Sequence, residues 1–113
     1  MRKVLLVGVP IGAREQVERV RPSDCEIAVS ETCKAGLNQF QQERSDIVLV
    51  NARMSDGLYG WNARSLAEEI RKTGKAVIAI SPFMCDRVPF EAAGCLFCRP
   101  EESGETLKRA LSR

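Results

Sequence analysis

The 113-residue chain is 44% hydrophobic and 28% charged, a balance typical of one globular domain, and we predict a single domain over residues 1–113. Its net charge of +2 comes from Lys and Arg scattered among Asp and Glu, which excludes the basic patch of a direct nucleic-acid binder. No apolar run approaches the roughly 20 residues that span a membrane, and the run after Met1 is too short for a secretory signal, so a cytoplasmic protein without a membrane segment is predicted.

Apolar runs alternate with segments of helical period along the chain. The runs that predict strands are residues 3–7, 26–29, 47–50, 76–80 and 95–98. Their continuous apolar character is typical of a parallel sheet that helices bury on both faces. The sequence therefore predicts an α/β domain with five strands.

Two amphipathic helices are predicted in the first half of the chain. In the first, Ala13 and Val17 lie at helical spacing among charged residues, and Pro22 ends it. Thr32 is a suitable N-cap for the second, whose polar face is rich in Gln and Glu. Gly36 weakens that helix by up to about 1 kcal/mol relative to Ala, so we expect it to allow close approach to the sheet.

The second half predicts two further helices and one irregular connection. A helix from about residue 61 to residue 73 ends at Gly74, and the last helix spans roughly residues 103–112. Two prolines lie between residues 81 and 95, where no clean helical period is visible. The fourth helix is therefore predicted to be short or irregular.

Ligands and reactive groups in such sheets gather where the strands end. The residues that follow the first, third, fourth and fifth predicted strands are, in chain order, Gly8, Val9, Asn51, Ser81, Arg99 and Pro100. A strand that delivers a reactive carboxylate would carry Asp where this chain has Asn51. We therefore predict that this site contains no carboxylate.

Across its whole length the chain resembles the receiver domains of two-component response regulators. The stretches that carry the resemblance are KVLLVGVP (3–10), SDIVLVNARM (45–54), AVIAIS (76–81) and CLFCRP (95–100). The resemblance implies a three-layer α/β sandwich whose five parallel strands have the order 2-1-3-4-5. Family members carry an acidic pair at the positions of Gly8 and Val9, Asp at Asn51, Ser or Thr at Ser81, and Lys-Pro at Arg99 and Pro100. This chain keeps only the hydroxyl and the proline, so the resemblance implies a degenerate receiver, or pseudo-receiver.

These losses remove the groups that phosphoryl transfer requires. Transfer to a carboxylate needs an anionic oxygen and Mg²⁺, which carboxylates normally hold. Asn51 is neutral, and Gly8 and Val9 have no side-chain oxygen, so we predict neither an acyl phosphate nor a bound metal. We also predict no cofactor and no enzymatic activity, because the candidate nucleophiles, Ser81 and the thiols, have no evident base and the chain has no His.

A binding site for a small anion or nucleotide is the alternative function. Arg53, Ser81 and Arg99 would line it with loop amides near Gly8, because a guanidinium pairs with two acceptors at once. The stretch after the first strand matches neither the dinucleotide fingerprint nor the P-loop. The competing interpretation is a solvated Arg99 above an inert site.

The predicted function is protein–protein interaction in signalling or regulation, independent of aspartyl phosphorylation. In receiver domains, an aromatic residue three positions before the Lys reports phosphorylation to the output face; here Leu96 holds that position and Phe97 follows it. Tyr59 and Trp61 are either exposed anchors for a partner or a cover for the core. The expected partner is a kinase, an output domain, another regulator or a second copy of the chain.

The five cysteines are predicted to be reduced, since the chain lacks the character of a small, loop-rich secreted scaffold. Cys95 and Cys98 have the C-x-x-C spacing of redox and zinc sites. Strand alternation points their sulfurs to opposite faces of the sheet, which favours core packing. Cys85 is the nearest cysteine that could add a zinc ligand.

Overall fold

The computed structural model describes residues 1–112 as alternating strands and helices. The strands are β1 (Arg2–Val7), β2 (Cys25–Ser30), β3 (Ile47–Asn51), β4 (Ala76–Ile80) and β5 (Leu96–Cys98). The helices are α1 (Ile11–Val20), α2 (Cys33–Glu43), α3 (Ala63–Arg71), α4 (Arg87–Ala92) and α5 (Ser103–Leu111). None of the helices within residues 1–112 combines the length and the apolar character needed to cross a membrane; the longest, α2, has 11 residues.

The sheet is parallel and has the order β2-β1-β3-β4-β5, which confirms the predicted architecture. Val7 pairs with Ser30 on one side and with Val50 on the other, and Asn51 pairs with Ile80. The carboxyl ends of β1, β3 and β4 therefore lie next to one another. The loops that follow these strands meet at that end of the sheet.

Helices cover both faces of the sheet, and each face has its own apolar cluster. On one face, Leu5 and Val7 pack with residues of α2, α3 and α4. On the other face, Val4 and Leu6 pack with residues of α1 and α5. Neighbouring residues of β1 alternate between the clusters because successive strand side chains point to opposite faces. The three layers that the sequence predicted are thus present.

Capping side chains determine where α2 and α3 begin. The hydroxyl of Thr32 accepts a hydrogen bond from the backbone N–H three residues later at 3.1 Å, as predicted for this N-cap. The side-chain oxygen of Asn62 accepts an equivalent bond at 2.8 Å, so α3 begins at Ala63 rather than near residue 61. Gly74, with a φ of 84°, follows the end of α3 in a conformation that favours glycine.

Gly36 allows α2 to lie close to the sheet, as the sequence predicted. A Cβ placed on Gly36 would lie 2.8 and 2.9 Å from the two methyl carbons of Val7. Val7 is fully buried and β-branched, so its methyl groups have no alternative position nearby. The contact between Gly36 and Val7 therefore sets the distance between α2 and the carboxyl end of β1.

The connection from β4 to β5 contains the short fourth helix that the sequence predicted. A 3-10 turn at Met84–Asp86 leads directly into α4, which has six residues. Phe90 is buried and anchors α4 on the sheet. The N–H of Cys95 donates to the carbonyl of Phe90, so β5 begins at Leu96, one residue later than predicted.

Candidate functional site

Gly8 and Asn51 lie side by side at the carboxyl ends of β1 and β3, with the side chain of Met54 against them. A Cβ placed on Gly8 would be 3.7 Å from the Cβ of Asn51 but only 2.7 Å from the terminal methyl of Met54. Gly8 also has a backbone φ of 61°, which residues other than glycine rarely adopt. The thioether of Met54 therefore occupies the space beside Gly8, a contact that no pattern in the sequence predicts.

Val9 contributes an apolar side chain and no ligand. It is 4% exposed and belongs to the apolar cluster on the α1 and α5 face of the sheet. Gly8 donates its N–H to the carbonyl of Ser30 at 2.9 Å, so the backbone at this point is engaged by β2. Neither position that follows β1 presents an oxygen of its side chain to the site.

The side-chain oxygen of Asn51 is used within its own loop. It accepts the backbone N–H of Arg53 at 3.1 Å, and the backbone carbonyl of Asn51 accepts the N–H of Met54 at 3.1 Å. This is the local turn that Asn and Asp side chains commonly stabilise. Asn51 therefore shapes the loop that carries Arg53 and Met54.

A carboxylate lies beside Ser81, so the prediction of a site without one is wrong for the end of β4. The hydroxyl of Ser81 donates to Asp86 Oδ2 at 2.5 Å. Arg53 donates to the same carboxylate through Nε at 2.8 Å and through Nη2 at 3.3 Å. Asp86 lies five residues beyond Ser81 in the segment without helical period, and no spacing in the sequence indicated that it would fold back.

Two further contacts enclose this cluster. The guanidinium carbon of Arg53 lies 4.1 Å from the centre of the Phe83 ring, a cation–π geometry. The N–H of Phe83 donates to the hydroxyl of Ser81 at 3.0 Å. Hydrogen bonds from Arg53 and then from Ser81 hold the pKa of Asp86 below its ordinary value, and the same contact raises the pKa of Arg53.

Arg99 lies apart from this cluster, in the wall of a groove. It lines a groove of about 670 Å³ between α4 and α5, which neither Arg53 nor Ser81 lines. Its backbone N–H donates to a side-chain oxygen of Glu102 at 2.9 Å, and Pro100 begins the 3-10 turn before α5. The structure therefore brings together Arg53 and Ser81, two of the three predicted anion-binding residues, and both are hydrogen-bonded to Asp86.

Leu96 and Phe97 form part of the same groove between α4 and α5. Both are half-buried; Leu96 packs against the cluster on the α1 and α5 face, and Phe97 against the opposite cluster. The side chains of Leu96 and Phe97 therefore each pack partly against the core and partly line the groove. The groove, at about 670 Å³, is about twice as large as the pocket of about 310 Å³ beside Tyr59 and Trp61.

Tyr59 and Trp61 differ in their surroundings although they are two residues apart. Tyr59 is 98% exposed, whereas Trp61 is half-buried against the apolar cluster under α3. Asp56 fixes the loop that carries them, since its carboxylate accepts the backbone N–H groups of Cys33 and Lys34 at 2.8 and 2.9 Å. These contacts stabilise the N-terminus of α2 as well as the loop.

Cys95 and Cys98 lie in opposite apolar clusters, in agreement with the predicted strand alternation. Burial raises the pKa of Cys95 to about 11 and also raises the pKa of Cys98, so both keep their protons at neutral pH. Cys85 is exposed and lies 3.6 Å from the guanidinium of Arg53. The C-x-x-C pair thus packs in the core.

The fold matches solved structures, although no protein-family model and no curated protein sequence matches the chain. A response regulator receiver domain protein from Clostridium thermocellum superposes with a TM-score of 0.78 over 99% of this chain and 92% of that one, at 16% identity. A two-component response regulator from Clostridium difficile gives 0.78 over 100% and 98%, at 14% identity. Chemotaxis response regulator CheY4 of Vibrio cholerae gives 0.74 over 96% and 98%, at 18% identity. The chain therefore has the fold of response-regulator receiver domains.

Proposed function

We propose that this protein is a signalling module of the receiver type that binds a protein partner and whose conformation is not set by aspartyl phosphate. The receiver fold supports the signalling role. One observation carries the second half of the proposal: the end of β3 presents the neutral amide of Asn51, and Met54 occupies the space beside Gly8. This arrangement lacks both a nucleophile and the charge that would neutralise an incoming phosphoryl group.

The residues present do not fit the Mg²⁺ ion that the receiver fold implies. Mg²⁺ prefers octahedral oxygen ligands and is usually bound through one or two carboxylates. Gly8 offers no side chain, Val9 is packed among apolar groups, and the side-chain oxygen of Asn51 already accepts an N–H. We therefore assign no phosphoryl-transfer step to this site and no role as an enzyme to this chain.

The surface that best suits a protein partner is the groove between α4 and α5. Leu96 and Phe97 provide apolar side chains, and charged residues of both helices lie around them. Those charges are largely paired along their own helices, as in the pair Arg87–Glu91 on α4. An apolar centre with a charged rim is typical of protein interfaces. A kinase, an output domain, another regulator or a second copy of the chain would each meet this description.

Incubation with acetyl phosphate and Mg²⁺, followed by intact mass measurement, tests independence from phosphorylation. We expect no gain of a phosphoryl group by the wild-type protein. The variant Asn51→Asp restores the nucleophile without the acidic pair, and we expect it to remain unmodified as well. A phosphorylated wild-type protein would overturn the proposal, and a typical receiver domain in the same reaction serves as the positive control.

Thermal denaturation with a panel of nucleotides and oxyanions separates this function from anion binding. We expect the melting temperature to stay unchanged, because Asp86 already occupies the donors of Arg53 and Ser81. A concentration-dependent rise in the wild type that disappears in Arg53→Gln would favour the anion-binding alternative instead.

A further inference from the structure

We propose that Arg53, Ser81 and Asp86 form an intramolecular latch that holds the start of α4 against the ends of β3 and β4. The chain supplies its own anion for this purpose, and no modification of the protein is needed to close the latch. We call these three residues the Asp86 latch. Its link to signalling rests on the proposed partner surface, whereas its existence depends only on the contacts among these three residues.

The latch connects three separate segments of the chain. Arg53 belongs to the loop after β3, Ser81 immediately follows β4, and Asp86 ends the 3-10 turn before α4. The carboxylate of Asp86 accepts three hydrogen bonds from the other two residues, between 2.5 and 3.3 Å. Hydrogen bonds to an ionised acceptor are stronger than hydrogen bonds between neutral groups. The three bonds to Asp86 therefore hold the β4–α4 connection more firmly than the neutral backbone bonds of its 3-10 turn would alone.

The latch is less exposed to water than an ordinary surface ion pair. Ser81 is 1% exposed, so if Asp86 moved away its hydroxyl would keep only contacts within its own turn, the N–H of Phe83 at 3.0 Å and the carbonyl of Phe83 at 3.4 Å. The side chain of Asp86 is 19% exposed, and the ring of Phe83 covers one side of the Arg53 guanidinium. By contrast, the side chains of the pair Lys72–Glu69 at the C-terminal end of α3 are 70% and 41% exposed. Screening by water is therefore weaker at the latch than at that pair.

The position of Asp86 determines where α4 begins. Met84 and Arg87, on either side of Asp86 in the sequence, both line the groove between α4 and α5. The helix has six residues, and its buried anchor is Phe90, so its first turn depends on the contacts of the segment before it. Opening the latch would release Met84, Arg87 and Phe83 together. The shape of one wall of the groove would then change.

Hydrogen exchange measured by mass spectrometry tests the latch. In Asp86→Asn, we expect peptides within residues 82–94 to exchange about fivefold faster than in the wild type, because charge-assisted hydrogen bonds are lost. Peptides from β1, α2 and β3 should exchange at the wild-type rate. Glu69→Gln removes the exposed pair on α3 and serves as the matched control, for which we expect no change in residues 82–94.

Arg53→Gln keeps the test decisive even if Asp86→Asn folds poorly, and a double variant tests whether the two side chains act together. Arg53→Gln changes a half-exposed side chain and should raise exchange in the same segment. The double variant Arg53→Gln, Asp86→Asn should exchange no faster than Asp86→Asn alone, because both changes open one latch. Exchange in residues 82–94 that matches the control, or effects of the two changes that multiply, would overturn the proposal.

The latch and the proposed function can fail independently. Phosphoryl transfer from acetyl phosphate is measured by mass on the same samples. Phosphorylation of the wild type would rule out the proposed independence from phosphorylation, while the exchange rates would still test whether the latch exists. If all latch variants exchanged at the wild-type rate, the latch proposal would be wrong, and the mass measurement would still test independence from phosphorylation.

Discussion

The carboxyl ends of β3 and β4 are neighbours in the sheet and differ in charge. At the end of β3, Asn51 is neutral and uses its side-chain oxygen within its own loop. At the end of β4, Ser81 donates a hydrogen bond to the carboxylate of Asp86. Arg53, in the loop after β3, forms an ion pair with the same carboxylate. The negative charge of this site thus comes from the segment after β4 and is compensated inside the chain.

This difference shows that a neutral residue at the end of β3 does not leave an empty, uncharged cavity at this edge of the sheet. Met54 occupies the space beside Gly8, and Asp86 satisfies the hydroxyl of Ser81. Buried polar groups without partners are costly, so an internal acceptor is a stable solution where no external anion is expected. The two strand ends therefore have separate structural roles.

The largest effect is expected from a change at the end of β1, the strand beside β3 in the sheet. Gly36→Ala should lower the free energy of unfolding by about 2 kcal/mol, because the new methyl group would overlap Val7, and the better helix propensity of Ala offsets only part of this cost. Gly12→Ala is the control, since no atom lies within 4 Å of a Cβ at that position, and it should be neutral or slightly stabilising. Urea denaturation measures both variants, and equal effects would contradict the packing account.

A direct comparison of the two strand ends follows from single charge changes. Asp86→Asn should lower the free energy of unfolding by about 1 kcal/mol, since charge-assisted bonds are lost but Arg53 stays half exposed to screening water. Asn51→Asp should change it by less than about 0.5 kcal/mol, because a carboxylate still accepts the N–H of Arg53. Equal losses in urea denaturation would remove the distinction between the two ends.

The contribution of Asp86 should also depend on pH. Its pKa is held below the ordinary value of 3.8 by hydrogen bonds from Arg53 and then from Ser81. A depressed pKa in the folded state stabilises the protein above the unfolded-state pKa, and this stabilisation is lost as pH falls through the folded-state pKa. The stability difference between wild type and Asp86→Asn should therefore stay constant down to about pH 5 and shrink below about pH 4. A difference that persists in stronger acid would contradict this assignment.

The smallest expected effect concerns thiol reactivity at the charged strand end. Cys85 is exposed, whereas the other four cysteines are buried, and burial raises the pKa of Cys33 and Cys95 to about 11. We expect one thiol per folded molecule to react rapidly with a disulfide reagent, without loss of stability. The variant Cys85→Ser should abolish the rapid phase. Rapid reaction of a second thiol would place another cysteine at the surface.

The sequence alone determined the type and order of the helices and strands and placed a neutral side chain at the end of β3, whereas the order of the strands in the sheet came from the family resemblance. Apolar runs and helical periods are local patterns, and each reports which side of its own segment is buried. Thr32 and Gly36 were predicted in their roles for the same reason, since capping and close packing depend on residue type at a given place in a helix.

Only the tertiary structure decided which polar side chains meet at the strand ends. Asp86 reaches Ser81 and Arg53 because the β4–α4 segment turns back, and Arg99 lies instead in the groove beside α5. Met54 covers Gly8 through the path of the loop after β3. These contacts join residues whose spacing in the sequence follows neither the helical nor the strand period. They depend on loop conformation and on the packing of α4, which no local pattern specifies.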